Sequence, residues 1–279
     1  MISIVTVCHK SDQILARYVS SFLDHHADAL SREKIEFVLV ENSGDDSVHR
    51  HAQTLRTAGF RVRVEMVENR GFGAGCNEGA ALAEGELLAF VNPDITFQSN
   101  LLPLEPFFGT DSWGGLMHAA GKPRTHPLYL RPEYVNTLTE LARTTRWIHK
   151  VPALYRYAFP SGSFFIVPSA AFHHVGGFDE RFFMYFEEAE LGRRLLAHLG
   201  PPCVCKSVTV SHKGFGTQSS MEKTMAFEAE STLVYADIIG DPDLPRRRLS
   251  TLRSLGRIVP INARRAYHLK QAIEAAAHG

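Results

Sequence analysis

The sequence predicts an α/β fold: a mostly parallel central sheet flanked by helices, followed by a C-terminal helical extension. Three observations predict it. Short strand-like runs alternate with helix-like segments through the first half in β-α-β-α-β-α-β order, and that alternation implies parallel strands with helices on both faces. Ile2–Val7 and Ile35–Val40 are near-continuous apolar runs, as strands buried on both faces are. From Arg246 to Lys270 the chain carries eight Lys or Arg and no acid. These are interleaved with Leu249, Leu252, Leu255, Ile258 and Val259, a basic amphipathic pattern.

Each element has its own warrant. Ile2–Val7 is β-branched. Gln13–His25 has helical periodicity, with Ile14, Leu15, Tyr18, Val19 and Phe22 apolar. Ile35–Val40 is the second strand, Ser47–Ala58 a helix and Arg61–Val67 a strand. Gly73–Ala83 is a helix of small residues, and Glu86–Val91 a strand ending at Asn92-Pro93-Asp94. The rhythm then changes. Leu116 to Pro160 is an excursion rich in Pro, His, Arg and Tyr, with a helix expected near Pro132–Arg146, and long excursions in compact domains usually carry function or are disordered. Phe164–Val167 resumes the strand pattern, and Glu187–His198 is an amphipathic helix. Cys203–Val210 is a strand closing at Ser211-His212, Met221–Ile239 a helix, and Arg246 to His278 one or two more helices.

Length and composition bound the rest. A chain of 279 residues, 44% hydrophobic and 22% charged, fits an ordinary globular protein. The expected organisation is a domain over 1–240, with a nucleotide-binding half of about 1–110 and an acceptor-binding half of about 111–240, and a basic extension over 241–279. The formal charge is zero, so no global field points to nucleic acid. Cys8, Cys76, Cys203 and Cys205 include no second pair to complete a zinc site, and are expected as buried thiols. The N-terminus lacks the basic flank and cleavage site of a signal peptide. No run approaches the roughly 18 apolar residues of a spanning helix. The expected location is cytoplasmic, with the inner face of the membrane as a place for the basic tail.

Five motifs carry chemistry. Asn92-Pro93-Asp94 puts two polar side chains at the carboxyl end of a buried strand, where open α/β sheets bind ligands. Asp offers a hard oxygen to Mg2+ or Mn2+, though Asn-Pro-Asp is also an ordinary turn. Glu41-Asn42-Ser43 follows the second strand; its carboxylate could accept from a base N–H or a ribose hydroxyl, or simply shape the turn. Asn69-Arg70-Gly71-Phe72-Gly73-Ala74-Gly75-Cys76-Asn77 opens a helix whose glycines would let backbone approach a phosphate. Its spacing is not the dinucleotide fingerprint. Gly177-Phe178-Asp179-Glu180 runs through aromatic residues into Glu187, Glu188 and Glu190 at a helix start. Acids there are favoured by the helix dipole, and their crowding, with burial, raises carboxylate pKa values toward those of a general base. Ser211-His212-Lys213 closes a strand with a candidate metal ligand and a candidate phosphate partner.

Together and in this order, these segments resemble the inverting family-2 glycosyltransferases of the GT-A fold, a Rossmann-like architecture, and their rhamnosyltransferase-like branch. The similarity covers about Ile2 to Ser220. The resemblance implies that Thr6 and Val7 line the nucleotide base, and that Glu41 binds base or ribose. Asn69, Gly71, Gly73 and Asn77 would shape the diphosphate pocket. Asp94 matches the last acid of the Asp-x-Asp metal motif, with Asn92 in place of the first. Glu188 matches the catalytic base, with Glu187 as rival, and His212 matches a metal-binding histidine. The family more often has Asp where this chain has Glu41, Glu188 and Glu190.

The implied function is inverting transfer of a sugar, with L-rhamnose as a candidate, from a dTDP- or UDP-linked donor to a glycan or polyprenyl-linked acceptor in bacterial surface polysaccharide synthesis. Mg2+ or Mn2+ would be the cofactor, with Lys213 assisting at the diphosphate. Two alternatives stand beside it: a non-catalytic carbohydrate- or nucleotide-binding scaffold, and a sugar nucleotidyltransferase. The turn Cys8-His9-Lys10-Ser11-Asp12 lacks the Gly-rich signature that the last would need. The stretch 246–270 reads either as a peripheral membrane contact or as a helix packed on the protein with a solvated Arg face.

Overall fold

A computed structural model describes residues 1–118, 126–142, 147–212 and 220–276. The strands are β1 (Ile2–Cys8), β2 (Ile35–Glu41), β3 (Arg61–Met66), β4 (Leu87–Val91), β5 (Ile95–Phe97), β6 (Gly114–His118), β7 (Leu128–Leu130), β8 (Ala158–Pro160), β9 (Phe164–Pro168) and β10 (Cys203–His212). The helices are α1 (Asp12–Leu23), α2 (Ala29–Lys34), α3 (Val48–Thr57), α4 (Phe72–Leu82), α5 (Leu104–Phe108), α6 (Thr137–Leu141), α7 (Ser169–His174), α8 (Glu187–Leu199), α9 (Met221–Ile239), α10 (Leu244–Gly256) and α11 (Pro260–Ala276).

Eight strands form one sheet in the order β3-β2-β1-β4-β9-β6-β10-β5. The first four are parallel, β9 is antiparallel to β4 and β6, and β10 runs parallel to β6. β7 and β8 make a separate antiparallel pair. Apolar side chains of β1, β2 and β4 alternate between two cores, as the period of two requires. One face packs Ile2, Ile4, Phe37 and Leu39 under Leu15, Tyr18 and Phe22 of α1. The other packs Val5, Val7, Val38, Val40 and Phe90 against Cys76 and Ala80 of α4 and Leu191 and Leu195 of α8.

Small residues set how close α4 lies. A Cβ at Gly79 would sit 2.4 Å from a Val5 methyl, and one at Gly75 3.0 Å from Val7. The helix can rest on β1 only because those positions are bare.

The excursion differs from the single helix expected near Pro132–Arg146. A 3-10 turn covers Pro132–Tyr134, Val135 is extended, and α6 starts afresh after Asn136. Asn136 forms a capping box with Thr139, which starts a new helix rather than continuing one. Residues 143–146 lie outside the described residues. The excursion also holds β6, β7 and β8. β6 begins Gly114-Gly115, with none of the β-branched residues that mark a strand. A Cβ at Gly114 would fall 1.9 Å from the Cys203 carbonyl oxygen, so the pairing with β10 requires glycine.

The basic tail forms a helical pair on α9. Leu252 of α10 and Ala266 and Leu269 of α11 share a core with Met225 and Ala229. Buried Glu228 binds Arg248 and, at 3.2 Å, Arg265. Neighbouring cations hold its carboxyl below the usual range, against the effect of burial. Among the described residues no helix is long and apolar enough to cross a membrane.

Candidate active site

The carboxyl ends of the parallel strands converge, where α/β sheets bind ligands. The turn after β4 carries Asn92, half-buried, and Asp94, buried. β10 ends at His212, whose Nε2 lies 3.0 Å from Asp94 Oδ1. The two residues predicted as metal ligands are thus brought together from opposite halves of the chain. Adjacent ligands of an octahedral cation, each at about 2.1 Å, are spaced by about 3.0 Å, so this pair fits two neighbouring positions of a Mg2+ or Mn2+ shell. Among the described residues no set of three or more His, Cys, Asp or Glu gathers to hold a metal. A cation here would complete its shell with water or substrate oxygens, as Mg2+ commonly does.

A short loop joins this pair to the acidic helix start. Asn92 N donates to the Ser163 carbonyl at 2.9 Å, and the Ser161 and Ser163 hydroxyls are 2.8 Å apart. Between them Gly162 lies against Glu188: a Cβ on it would fall 1.8 Å from Glu188 Oε1, and its N–H moderates the rise of that carboxyl's pKa. One residue of loop therefore separates the candidate base from the Asn-Pro-Asp turn.

Glu187 and Glu188 occupy different environments. Glu187 is 3% exposed, and its Oε2 has no hydrogen-bond partner. Burial, and then the neighbouring Glu188, push its carboxyl well above the usual range, so it is held as the neutral acid. Glu188 is half-buried. Burial raises it to about 7, moderated by backbone N–H groups including that of Gly162. A carboxyl at that value is half-ionised near neutrality, as a general base requires. Tyr129 stands close by, its hydroxyl pushed up by burial and by the Glu188 charge. The chain enters α8 through two left-handed residues, Tyr185 (φ 75) and Phe186 (φ 68). Such strain costs about 1–3 kcal/mol per residue and persists where packing over-determines it. Here α9 and α10 supply the packing. Ser231 Oγ donates to the Met184 carbonyl at 2.7 Å, Phe227 stacks on Phe183, and the Arg248 guanidinium lies 5.4 Å from the Phe186 ring centre.

Several predicted nucleotide-site residues hold the scaffold. Asn77 accepts from Phe178 N at 2.8 Å and donates to the Phe178 carbonyl at 3.0 Å and to Glu180 at 3.1 Å. Gly71 (φ 106) needs its bare Cα, because a Cβ would meet the Phe183 carbonyl oxygen at 2.5 Å, and Phe72 N donates to that oxygen at 3.0 Å. Gly73 lies against Phe178. Thr6 is fully buried, its hydroxyl 2.9 Å from that of Tyr18, and Val7 packs on Gly75. Both underlie the rim rather than form its surface. Glu41 is 1% exposed and accepts from the N–H groups of Ser43, Gly44 and Asp45 and from the Ser43 hydroxyl. Its carboxylate shapes its own turn. Lys213 lies outside the described residues. Glu190 is buried in a bidentate pair with Arg194 and takes no place in the site.

The rim has members that sequence reasoning passed over. His9 Nδ1 lies 2.9 Å from Asn42 Oδ1, Asn42 Nδ2 donates to Asn69 Oδ1 at 3.3 Å, and Gly71 N donates to the same oxygen at 3.2 Å. This chain of bonds crosses the ends of β1, β2 and β3 and includes exposed Asn69. Gly162 and Ser163 gave one signal, a glycine between serines just before an apolar strand.

Residues 3–106 match the family described as Glycosyl transferase family 2. The resemblance read from the motifs holds. Over 76 residues the chain is 38% identical to N-acetylglucosaminyl-diphospho-decaprenol L-rhamnosyltransferase of Mycobacterium tuberculosis, covering 27% of this chain and 25% of that protein. The chain thus spans about a quarter of the length of the curated relatives it matches. Among solved structures, mannosyltransferase PcManGT from Pyrobaculum calidifontis, in complex with GDP-Man and Mn2+, superposes with a TM-score of 0.58 at 15% identity, over 100% of this chain and 75% of that one. S. aureus TarS gives 0.54 at 16% identity, over 83% and 39%. GalNAc-T7 with UDP, GalNAc and Mn2+ gives 0.58 at 16%, over 100% and 56%. At these identities the structural likeness establishes the GT-A fold.

Proposed function

We propose that this chain is an inverting glycosyltransferase that moves a sugar from a nucleotide-diphosphate donor to a hydroxyl of a glycan or polyprenyl-linked acceptor. The observation that carries the reading is the Ser161–Ser163 loop, which sets Glu188, a carboxyl poised near neutrality, beside the turn bearing Asp94 and its partner His212. A base and an anion-neutralising site on either side of one small loop suit a single displacement.

Glu188 takes the proton of the acceptor hydroxyl. That oxygen bonds to the anomeric carbon as the bond to the donor diphosphate breaks, and the configuration inverts. A divalent cation held by Asp94 and His212 would neutralise charge on the departing diphosphate. Glu187, kept neutral by burial, adds no second negative charge beside the base. The rim of His9, Asn42 and Asn69 faces the donor, with nucleotide binding assigned to the half before residue 110 and acceptor binding to the half after it. Bacterial surface polysaccharide synthesis, and L-rhamnose as the sugar, rest on the similarity to the mycobacterial relative.

The test measures release of nucleoside diphosphate from dTDP-rhamnose and a panel of UDP- and GDP-sugars, with a polyprenyl-diphosphate-linked N-acetylglucosamine as acceptor and Mn2+ present. Turnover of one donor that disappears in Glu188→Gln supports the reading. Failure of the wild-type chain to consume any donor, with or without acceptor, would overturn it.

A further inference from the structure

We infer that the turn between α10 and α11 is a docking surface for an anionic lipid bilayer. Ile258 is 66% exposed, Tyr267 62%, Ile261 46% and Val259 43%. Four such side chains fall within ten residues of the chain, a denser run of exposed apolar residues than the scattered ones found on most surfaces. The rest of the tail does not need them, since Leu252, Leu255, Ala266 and Leu269 already bury its inner face.

The charge around this run selects the occupant. The tail cations divide into two groups. Arg247, Arg248, Arg265 and Lys270 are paired with Asp241, Glu228 and Glu274. Arg246, Arg253, Arg257 and Arg264 are exposed, and among the described residues none of them takes part in an ion pair. No acid occurs between Arg246 and Lys270. Apolar side chains rimmed by uncompensated Arg match the boundary between anionic headgroups and acyl chains. Neighbouring α6 packs beside α10 and presents Leu138 and Leu141, 77% and 49% exposed, with exposed Glu140 between them. The inward cations pack the tail on the protein, and on this inference the outward ones face the bilayer. This surface does not depend on the sugar-transfer reading.

Removing the whole tail would uncover Met225 and Ala229, so point variants of the full chain are the proper test. The chain is sedimented with sucrose-loaded vesicles of phosphatidylcholine alone or with about a third phosphatidylglycerol. The wild type should sediment with the phosphatidylglycerol vesicles only. The double variant Ile258→Glu, Ile261→Glu should lose binding by on the order of tenfold or more, and Arg257→Gln or Arg264→Gln by about fivefold each, with melting temperatures unchanged. Equal sedimentation with both vesicle types, or equal binding by the double variant, would overturn the inference. So would a wild-type dimer that the double variant dissolves without any change in vesicle binding, since the cover would then be a second copy of the chain.

Discussion

Gly162 faces the carboxylate of Glu188 so closely that a methyl group on it would lie 1.8 Å from Oε1. Gly162 is not among the glycines with positive φ, so alanine there meets no backbone penalty and its whole effect falls on the acid. Gly162→Ala should leave the fold and nucleotide binding in place while turnover falls by about a hundredfold, the scale of a displaced reacting group. Nucleotide-dependent thermal shift together with initial rates checks this. Unchanged rates would remove the loop from the mechanism.

The ionisation of Glu188 should govern the pH dependence of turnover. With its pKa raised to about 7, kcat/KM should climb as the proton leaves and level off above neutrality. Glu188→Gln should lower kcat by about 10²–10⁴-fold, while Glu187→Gln, which replaces a group already neutral, should keep the inflection near 7. An inflection lost only in the Glu187 variant would transfer the role to the rival.

The same shift makes a prediction about stability, with a definite sign. The folded chain keeps this proton up to about pH 7, whereas the unfolded chain releases it near the ordinary value of 4.5. The stability it contributes is therefore present below about 4.5 and is lost as pH rises toward 7. Relative to the wild type, Glu188→Gln should gain roughly 1–3 kcal/mol between pH 5 and pH 8. Urea denaturation at the two pH values measures it, and a loss at high pH would contradict the burial argument.

The Asp94–His212 pair predicts a metal requirement with two protein ligands. Asp94→Ala and His212→Ala should each abolish Mn2+-dependent stabilisation by nucleoside diphosphate in a thermal-shift assay. A full Mn2+ response in both variants would place the cation elsewhere.

Asn77 should matter for folding more than for catalysis. Its amide makes three hydrogen bonds with Phe178 and Glu180, and Asn77→Ala leaves buried backbone groups of the 177–180 segment unpaired. The expected cost is about 2 kcal/mol, read from the urea midpoint. A loss of nucleotide affinity without loss of stability would restore the contact role that the resemblance implied.

The first half of the fold is legible because β1, β2 and β4 are apolar runs and α1 repeats its apolar residues with helical period. The second half is not. β6 opens with two glycines that close strand packing demands, and β5, β7 and β8 have three residues each, too few for periodicity to register. The site divides along similar lines. Asp94, His212 and Glu188 are legible because strand ends and a helix start place them, and the structure brings them toward one another. What a side chain at such a place touches is not legible. Glu41 and Asn77 have the chemistry of ligand contacts, but the N–H groups of its own turn have already taken the hydrogen bonds of Glu41, and the 178–180 segment those of Asn77. Only the three-dimensional neighbours of Gly162 show that a residue without a side chain stands beside the base.

The joining of Asn77 to Phe178, and of Gly71 to Phe183, has a hereditary side. The segments meet across a separation of 101 residues in the chain, and each fills space that the other leaves bare. A side chain gained at position 71 collides with backbone of the later segment, and one gained at 177 collides with the Asn77 amide. Neither segment can drift alone. A hybrid that takes the first segment from one parent and the second from another keeps the junction only where glycine stands at 71 and 177 and the side chain at 77 still fits the later segment.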